Sequence, residues 1–268
     1  MPKKIRTDTR LLSESDISQF SEAYKKFGFV IIEDFFSFKI VSEIKNAIQV
    51  VKKREDVELY EDRSGNLRRM EHFTFKHEVF KFVNEKLMQI LFKLTTLEQT
   101  IFKDKVNFKP SKGEGFYPHF DGVFQFKTAN GEVRNGWYEY ASDFNNCLVC
   151  LDQFNLENGT LEISHSHDED YDSLLKKTKL DGSPDINDDQ LRQLDFQPIL
   201  ADAGSLVVFK HSCPHKSSPN YSNTDRGSLY LTYNNLRDGV FYNQYFIDKR
   251  KSINPNKSLQ GDQIKDCK

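Results

Sequence analysis

The sequence predicts a mainly β fold with helices on its flank. Short apolar or alternating runs recur at 29–32, 102–109, 145–154, 160–164, 196–200, 204–210 and 226–233, bounded by turn formers. Strong helical periods are confined to the first hundred residues. They lie at 13–26, 39–53 and 76–97. A third observation is that the chain shows no internal repeat and no break in composition. Its 268 residues therefore read as one domain, with a core over about 27–250 and polar tails at 1–12 and 252–268.

Each element has a local reason. Ser13 or Ser15 can cap the first helix, whose stripe is Ile17, Phe20 and Tyr24, and Gly28 ends it. The run 29–32 is a buried strand. The second helix places Ile40, Ile44, Ile48 and Val51 on one face. Residues 54–66 are charged and end in Ser64-Gly65-Asn66, which reads as a loop. The third helix carries Phe80, Val83, Leu87, Ile90, Leu91 and Leu94 and is expected to pack on a sheet. Residues 128–132 read as a two-residue hairpin turn within an insert at 122–141. Residues 168–190 form an acidic, turn-rich excursion, expected to be a lid or a mobile loop. Residues 242–251 read as a short helix or an extended arm.

Composition excludes several function classes. The net charge of −2 offers no global basic field for nucleic acid or an anionic membrane. No apolar run approaches a membrane span, and the first residues lack the apolar core of a secretory signal. Cys147, Cys150, Cys213 and Cys267 are scattered. Cys147 and Cys150 lie three apart in a strand, so they face opposite sides and read as buried thiols. A reducing, cytoplasmic setting follows. The sequence gives no oligomeric state.

The chemistry gathers around Phe116-Tyr117-Pro118-His119-Phe120-Asp121-Gly122. Residues two apart on a strand share a face, so His119 and Asp121 can converge on one point. A third ligand is available at His215, although His211 competes for that place by the same alternation. Two histidines and one carboxylate on one side of a metal leave positions open for oxygen and a co-substrate, as a non-haem ferrous oxygenase requires. Folding 215–226 as a hairpin about Asn220 and Tyr221 would set Arg226 opposite His215, with Ser228 pointing the same way. A guanidinium there can clasp a carboxylate with two parallel bonds. The matching co-substrate is 2-oxoglutarate, which chelates iron with one end and presents a carboxylate at the other.

These residues resemble the phytanoyl-CoA dioxygenase family of iron(II)/2-oxoglutarate oxygenases. The resemblance runs from about 29 to 255. It rests on the opening strand at 27–36, His119-Phe120-Asp121, Glu157-Asn158-Gly159-Thr160, Gly204-Ser205-Leu206-Val207-Val208-Phe209, Pro214-His215, Pro219-Asn220 and Arg226. The segments 66–73, 102–109, 230–234 and 245–250 are similar to the branch that hydroxylates aminophosphonates such as 2-aminoethylphosphonate. Two features depart from it: Ile163-Ser164-His165-Ser166-His167 where the family has Pro-Gly-Ser-His, and a longer insert after Asp121.

The resemblance implies a double-stranded β-helix, jelly-roll or cupin-like core. It implies iron on His119, Asp121 and His215, 2-oxoglutarate held by Arg226 and Ser228, and dioxygen as oxidant. Asp121 fills the position that a halogenase leaves open. The expected reaction is hydroxylation of a C–H bond in a small anionic or zwitterionic metabolite, an aminophosphonate first. Another small metabolite, an acyl thioester, and a catalytically silent cupin stand as alternatives. Lys105 and Asn107 share a strand face and could touch 2-oxoglutarate or substrate, or simply be solvated. Arg68 and Arg69 read either as ion-pair partners of Glu71 or as an anion clamp. Trp137 and Tyr117 are candidate substrate-lining residues, with ordinary packing as the alternative for Trp137. His165 and His167 read as structural or supporting.

Overall fold

The computed structural model describes residues 5–6, 12–62, 64–127, 131–166 and 169–252. In chain order the elements are β1 (Ile5–Arg6), α1 (Glu14–Phe27), β2 (Phe29–Glu33), α2 (Phe38–Val51), β3 (Glu58–Glu61), β4 (Leu67–Glu71), α3 (Glu78–Thr95), β5 (Gln99–Lys109), β6 (Phe116–His119), β7 (Phe126–Lys127), β8 (Val133–Arg134), β9 (Phe144–Cys150), β10 (Leu161–Ile163), α4 (Tyr171–Leu175), α5 (Asp188–Leu191), β11 (Gln197–Pro198), β12 (Leu206–Lys210), β13 (His215–Ser217), β14 (Arg226–Asn235) and α6 (Tyr242–Ser252).

The helix ends follow from local chemistry. Ser13 caps α1 in a reciprocal capping box with Asp16. Gly28 ends it in the left-handed region, at φ 79°, with its N–H on the Tyr24 carbonyl. A Cβ at Gly28 would also lie 2.1 Å from the Ser166 Cβ, so only glycine fits there. Ser37 caps α2, and the His77 side chain accepts from the Val79 N–H at the start of α3.

Two sheets face one another. The larger runs β1-β2-β12-β9-β14-β5-β4-β3 and the smaller runs β11-β10-β13-β6. Strand alternation sorts the larger sheet into two faces. Val30, Ile32, Cys147, Val149, Val208, Leu229 and Leu231 pack outward against Phe20, Ile44, Phe80 and Leu87 of the helices. Phe29, Ile31, Leu148, Cys150, Val207, Phe209 and Tyr230 pack inward against Leu161 and Ile163 of the smaller sheet. Cys147 and Cys150 fall on opposite faces as buried free thiols. This is the double-stranded β-helix that the sequence implied.

Several boundaries differ from the sequence reading. The charged stretch 54–66 contains strand β3, which pairs with β4. Strand β9 stops at Cys150 rather than 154. The turn after β7 spans more than two residues, because Lys127 pairs with Val133; residues 128–130 lie outside the described set. The excursion after 168 is anchored against the metal-bearing strand. The Ile186 N–H donates to the Pro118 carbonyl (2.9 Å), and the Phe120 N–H to Pro184 (3.3 Å). Leu174 and Ile186 bury against Phe120 and Val123. The tail at 253–268 and His167 lie outside the described residues. Among the described residues no helix is long and apolar enough to cross a membrane.

Candidate metal centre and anion cleft

Strand β6 ends at His119, and Asp121 follows in the turn beyond it. His215 opens β13, whose residues pair directly with β6 through His215 and His119. Possible ligand atoms of the three side chains all lie within 4.8 Å of one another. His119 Nε2 is 4.0 Å from Asp121 Oδ1, and His215 Nε2 is 3.7 Å from Oδ2.

The far side of each ring is committed. His119 Nδ1 meets the Tyr117 carbonyl at 2.8 Å, and His215 Nδ1 meets the Cys213 carbonyl at 3.0 Å. A carbonyl accepts only, so each Nδ1 carries the proton and each Nε2 turns a lone pair toward Asp121. Burial, then the neighbouring His215, brings the His119 imidazole down to about 4. Burial likewise lowers His215. Burial alone would raise the Asp121 carboxyl, but His215, Lys105, His119 and Lys103 hold it well below the usual range. Two neutral imidazoles and one ionised carboxylate are the donor set that ferrous iron takes, so the residues fit that ion.

Asn146 on β9 fixes the carboxylate: its amide donates to Asp121 Oδ2 at 2.9 Å, and its oxygen accepts from Thr232 at 2.8 Å. The Trp137 ring lies against Gly122, which has φ 78° and no room for a Cβ. His211, the rival ligand, is spent elsewhere. The Phe144 N–H donates to its Nδ1 (3.1 Å), and Tyr138 Oη meets its Nε2 at 2.6 Å. Strand β12 ends at Lys210, so the alternation that made 211 and 215 equivalent does not extend that far. His165 is exposed and stacks on Phe27, away from the triad.

Arg226 is not opposite His215. The link at 218–225 crosses between sheets: β13 pairs with β10 and β6, and β14 pairs with β5 and β9. The hairpin is therefore wrong. Asn220 explains the crossing, since its amide donates to the carbonyls of Lys109, Pro110 and Thr224 and draws the link onto the end of β5. Arg226 is buried with its guanidinium 4.1 Å from the Phe154 ring centroid. Nε and Nη2 donate to the carbonyls of Asn158 and Gly159, and Nη1 is buried without a partner among the described residues. An orphaned guanidinium nitrogen in a fixed frame is what a ligand carboxylate would satisfy.

Across the inward face, strand register sets up rows. Arg69, Asn107, Ser228 and Cys150 form one row; Glu71, Lys105, Tyr230 and Leu148 form the next; Lys103, Thr232 and Asn146 form a third. Asn107 Oδ1 is also buried and, among the described residues, unpartnered. Arg69 pairs with Glu71 at 3.3 Å, and Lys249 of α6 closes on the same carboxylate. Arg69 is thus an ion-pair partner of Glu71, and its register also places it on the inward face beside Asn107. Arg68 points the other way along β4, pairing with Asp62 at 3.5 Å and donating to the Glu114 carbonyl. Trp137 is buried against Phe102 and Phe144, with Lys103 Nζ 4.4 Å from its ring centroid. The Tyr117 hydroxyl donates to Asp188 at 3.2 Å, and Lys179 covers its ring, so it joins β6 to the excursion rather than to the cationic rows.

Sequence reasoning missed Lys103, Lys249, Asn146 and Thr232. Lys103 has the same parity as Lys105 and Asn107, so the alternation already used for those two would have found it. Nothing local marks the other three.

The chain is similar to several known proteins. A bacterial protein named 2-aminoethylphosphonate dioxygenase, from an uncultured bacterium, is 29% identical over 245 residues, 87% of each chain. A methylphosphonate hydroxylase from Gimesia maris is 29% identical over 165 residues, 62% of this chain and 56% of that one. Among solved structures, the non-haem α-ketoglutarate-dependent carbocyclase SnoK from nogalamycin biosynthesis superposes with a TM-score of 0.66 at 17% identity, covering 96% of this chain and 97% of that one. EctD from S. alaskensis, solved with bound iron, gives 0.63 at 17% identity over 82% and 78%. The family profile for phytanoyl-CoA dioxygenase matches residues 24–228, most of the chain. The chain therefore belongs to the phytanoyl-CoA dioxygenase family of iron(II)- and 2-oxoglutarate-dependent dioxygenases.

Proposed function

We propose that this enzyme hydroxylates a C–H bond of a small phosphonate, with an aminophosphonate such as 2-aminoethylphosphonate the first molecule to test. The observation that carries the reading is the triad His119, Asp121 and His215, with both Nε2 lone pairs and the carboxylate facing one point. These three side chains would hold iron(II). Arg226 and Ser228 would hold the far carboxylate of 2-oxoglutarate; the orphaned Nη1 of Arg226 supports that role. Asn107, beside Ser228 in its row, would add a polar contact to the co-substrate. Lys105 and Arg69 face the cleft between the two ends, and Trp137 walls its far side.

With its co-substrate, the iron supplies the oxidation that puts one atom of dioxygen into the substrate and one into succinate, with release of carbon dioxide. The chain's own work is positional. The Tyr117 and Cys213 carbonyls fix the two imidazole tautomers, and Asn146 fixes the carboxylate. The inward rows keep bulk water out and set a positive potential for anions. The protein would act as a single catalytic unit in the cytoplasm.

The experiment is to follow succinate formation from 2-oxoglutarate with added iron(II), with and without 2-aminoethylphosphonate. The expected result is iron-dependent turnover, stimulated by the phosphonate and abolished in His119→Ala. Turnover that survived His119→Ala would refute the metal assignment. Turnover that no phosphonate stimulated would refute the substrate class and leave the oxygenase intact.

A further inference from the structure

Two lysines on the inward face of β5 are unaccounted for by the metal and the co-substrate. Lys103 is 5% exposed, yet its ammonium has no hydrogen-bond or ion-pair partner among the described residues. Its neighbours are the faces of Trp137 (4.4 Å) and Tyr245 (5.5 Å). Lys105 stands one row nearer Arg226, over the Tyr230 ring at 4.5 Å, and is likewise without a polar partner among the described residues. Aromatic faces soften the cost of such charges but do not replace an anion.

The nearby carboxylates are already taken. Glu71 is fully buried and shared between Arg69 and Lys249. Burial alone would raise it, but Lys249, Arg69 and Lys103 together bring it down to about 2, so it stays ionised and engaged. Asp121 belongs to the triad. This face therefore sets Arg69, Lys103, Lys105 and Lys249 against Glu71 and Asp121, more cationic than acidic side chains, and among the described residues it offers no uncommitted carboxylate to greet an amine.

The excess is not explained by 2-oxoglutarate. Arg226 pairs with Lys109, and Thr232, six residues further along β14, pairs with Lys103. At the usual strand rise that separates Arg226 from Lys103 by about 20 Å. The carboxylate that Arg226 would clasp is out of reach of Lys103.

We infer that Lys103 and Lys105 are the anion-binding pair for the substrate, and that they select a small tetrahedral dianion by its phosphonate group and not by an amine. This rests on the oxygenase reading above and narrows its substrate. Part of the wall comes from beyond the matched family segment, since α6 supplies Tyr245 and Lys249 after the match ends at 228. Burial, then Lys105, brings Lys103 down to about 7, and an anion beside it would restore its charge.

The test is anaerobic calorimetry on protein loaded with iron(II) and 2-oxoglutarate, titrated with ethylphosphonate, 2-aminoethylphosphonate and ethanesulfonate. Ethylphosphonate should bind as tightly as its amino analogue or more tightly, and the monoanionic sulfonate roughly tenfold more weakly or worse. Lys103→Met should lose at least about tenfold in phosphonate affinity. Its affinity for 2-oxoglutarate should stay within about threefold, because sites farther apart than ~10 Å act independently. Lys103→Arg, which keeps the charge, should recover part of the loss and guards against a folding defect in the methionine variant. Preference for the aminated ligand by tenfold or more, or phosphonate affinity untouched by Lys103→Met, would overturn the proposal. Equal loss of 2-oxoglutarate affinity would do so too, by making Lys103 a co-substrate residue. Absence of any iron-dependent succinate would instead refute the oxygenase reading beneath it.

Discussion

Asn146 stands behind the triad's carboxylate, and replacing it with leucine should weaken iron binding while leaving the sheets in place. The side chain is buried, donates to Asp121 Oδ2 at 2.9 Å, and accepts from Thr232 at 2.8 Å. A hydrogen bond to a charged, buried acceptor is worth about 1.5–3 kcal/mol. At about 1.4 kcal/mol per decade, that is a roughly 10- to 100-fold rise in the iron dissociation constant. The same range is usual for residues that orient metal ligands from behind, about 10- to 100-fold. The assay is anaerobic titration of the metal-free protein with iron(II), followed by succinate formation at saturating iron. Turnover should largely return once the metal is forced in, because Asn146 positions a ligand and touches no reacting atom. Thr232→Val keeps the amide on Asp121 and removes only its tether, so its effect should be smaller. An iron affinity unchanged in a natively folded Asn146→Leu protein would refute the reasoning, since Asp121 would then need no orientation from β9.

Arg226→Met should raise the KM for 2-oxoglutarate by about 100-fold, the loss of two charge-assisted bonds, and Arg226→Lys should recover only part because one ammonium cannot reproduce the fork. A KM within a few-fold of the parent's would show that the carboxylate lies elsewhere. Asp104→Leu should cost at least about 3 kcal/mol in urea unfolding, because its carboxylate accepts from the N–H groups of His72, Phe73 and Thr74 and from the hydroxyls of Thr74 and Tyr242; a native midpoint would contradict this. The metal-free protein should lose stability as pH falls from 6.5 to about 4. Across that range the unfolded chain protonates its histidines while burial keeps His119 neutral. Glu71 is lowered too, so its contribution has the same sign but a lower window: it is lost as pH falls from the ordinary carboxylate range toward about 2. Urea midpoints taken with a chelator should therefore fall through the histidine window, and a flat or rising profile would contradict the assignment.

The residues whose roles depend on spacing within one strand were legible in the sequence. Lys105 and Asn107 are two apart and Cys147 and Cys150 are three apart, and alternation alone sorts these onto faces. His119 and Asp121 do converge, but through the turn that follows β6 rather than by alternation along a strand. Spacing could not choose His215 over His211, because the choice turns on strand β12 ending at Lys210; the family resemblance at Pro214-His215 made it. The placement of Arg226 failed for a related reason. Ser218-Pro219-Asn220-Tyr221 carries the turn formers of a hairpin, and a link that crosses between facing sheets uses the same residues. Only the capture of the Asn220 amide by Lys109, Pro110 and Thr224 distinguishes the two. Glu71 and Lys249 meet across 178 residues of chain, a separation at which no local pattern speaks.

Lys109 gives the cleft a fixed width. Its ammonium, buried at the end of β5, donates to Ser217 Oγ at 2.8 Å and to the carbonyls of Gly159 and Ser218. It thereby bolts the sheet that carries Arg226 to the strand that begins with His215. If Arg226 holds the far carboxylate as proposed, this crossbar fixes the span between that grip and the metal. A keto diacid one methylene shorter or longer than 2-oxoglutarate would then have to surrender its grip at one end.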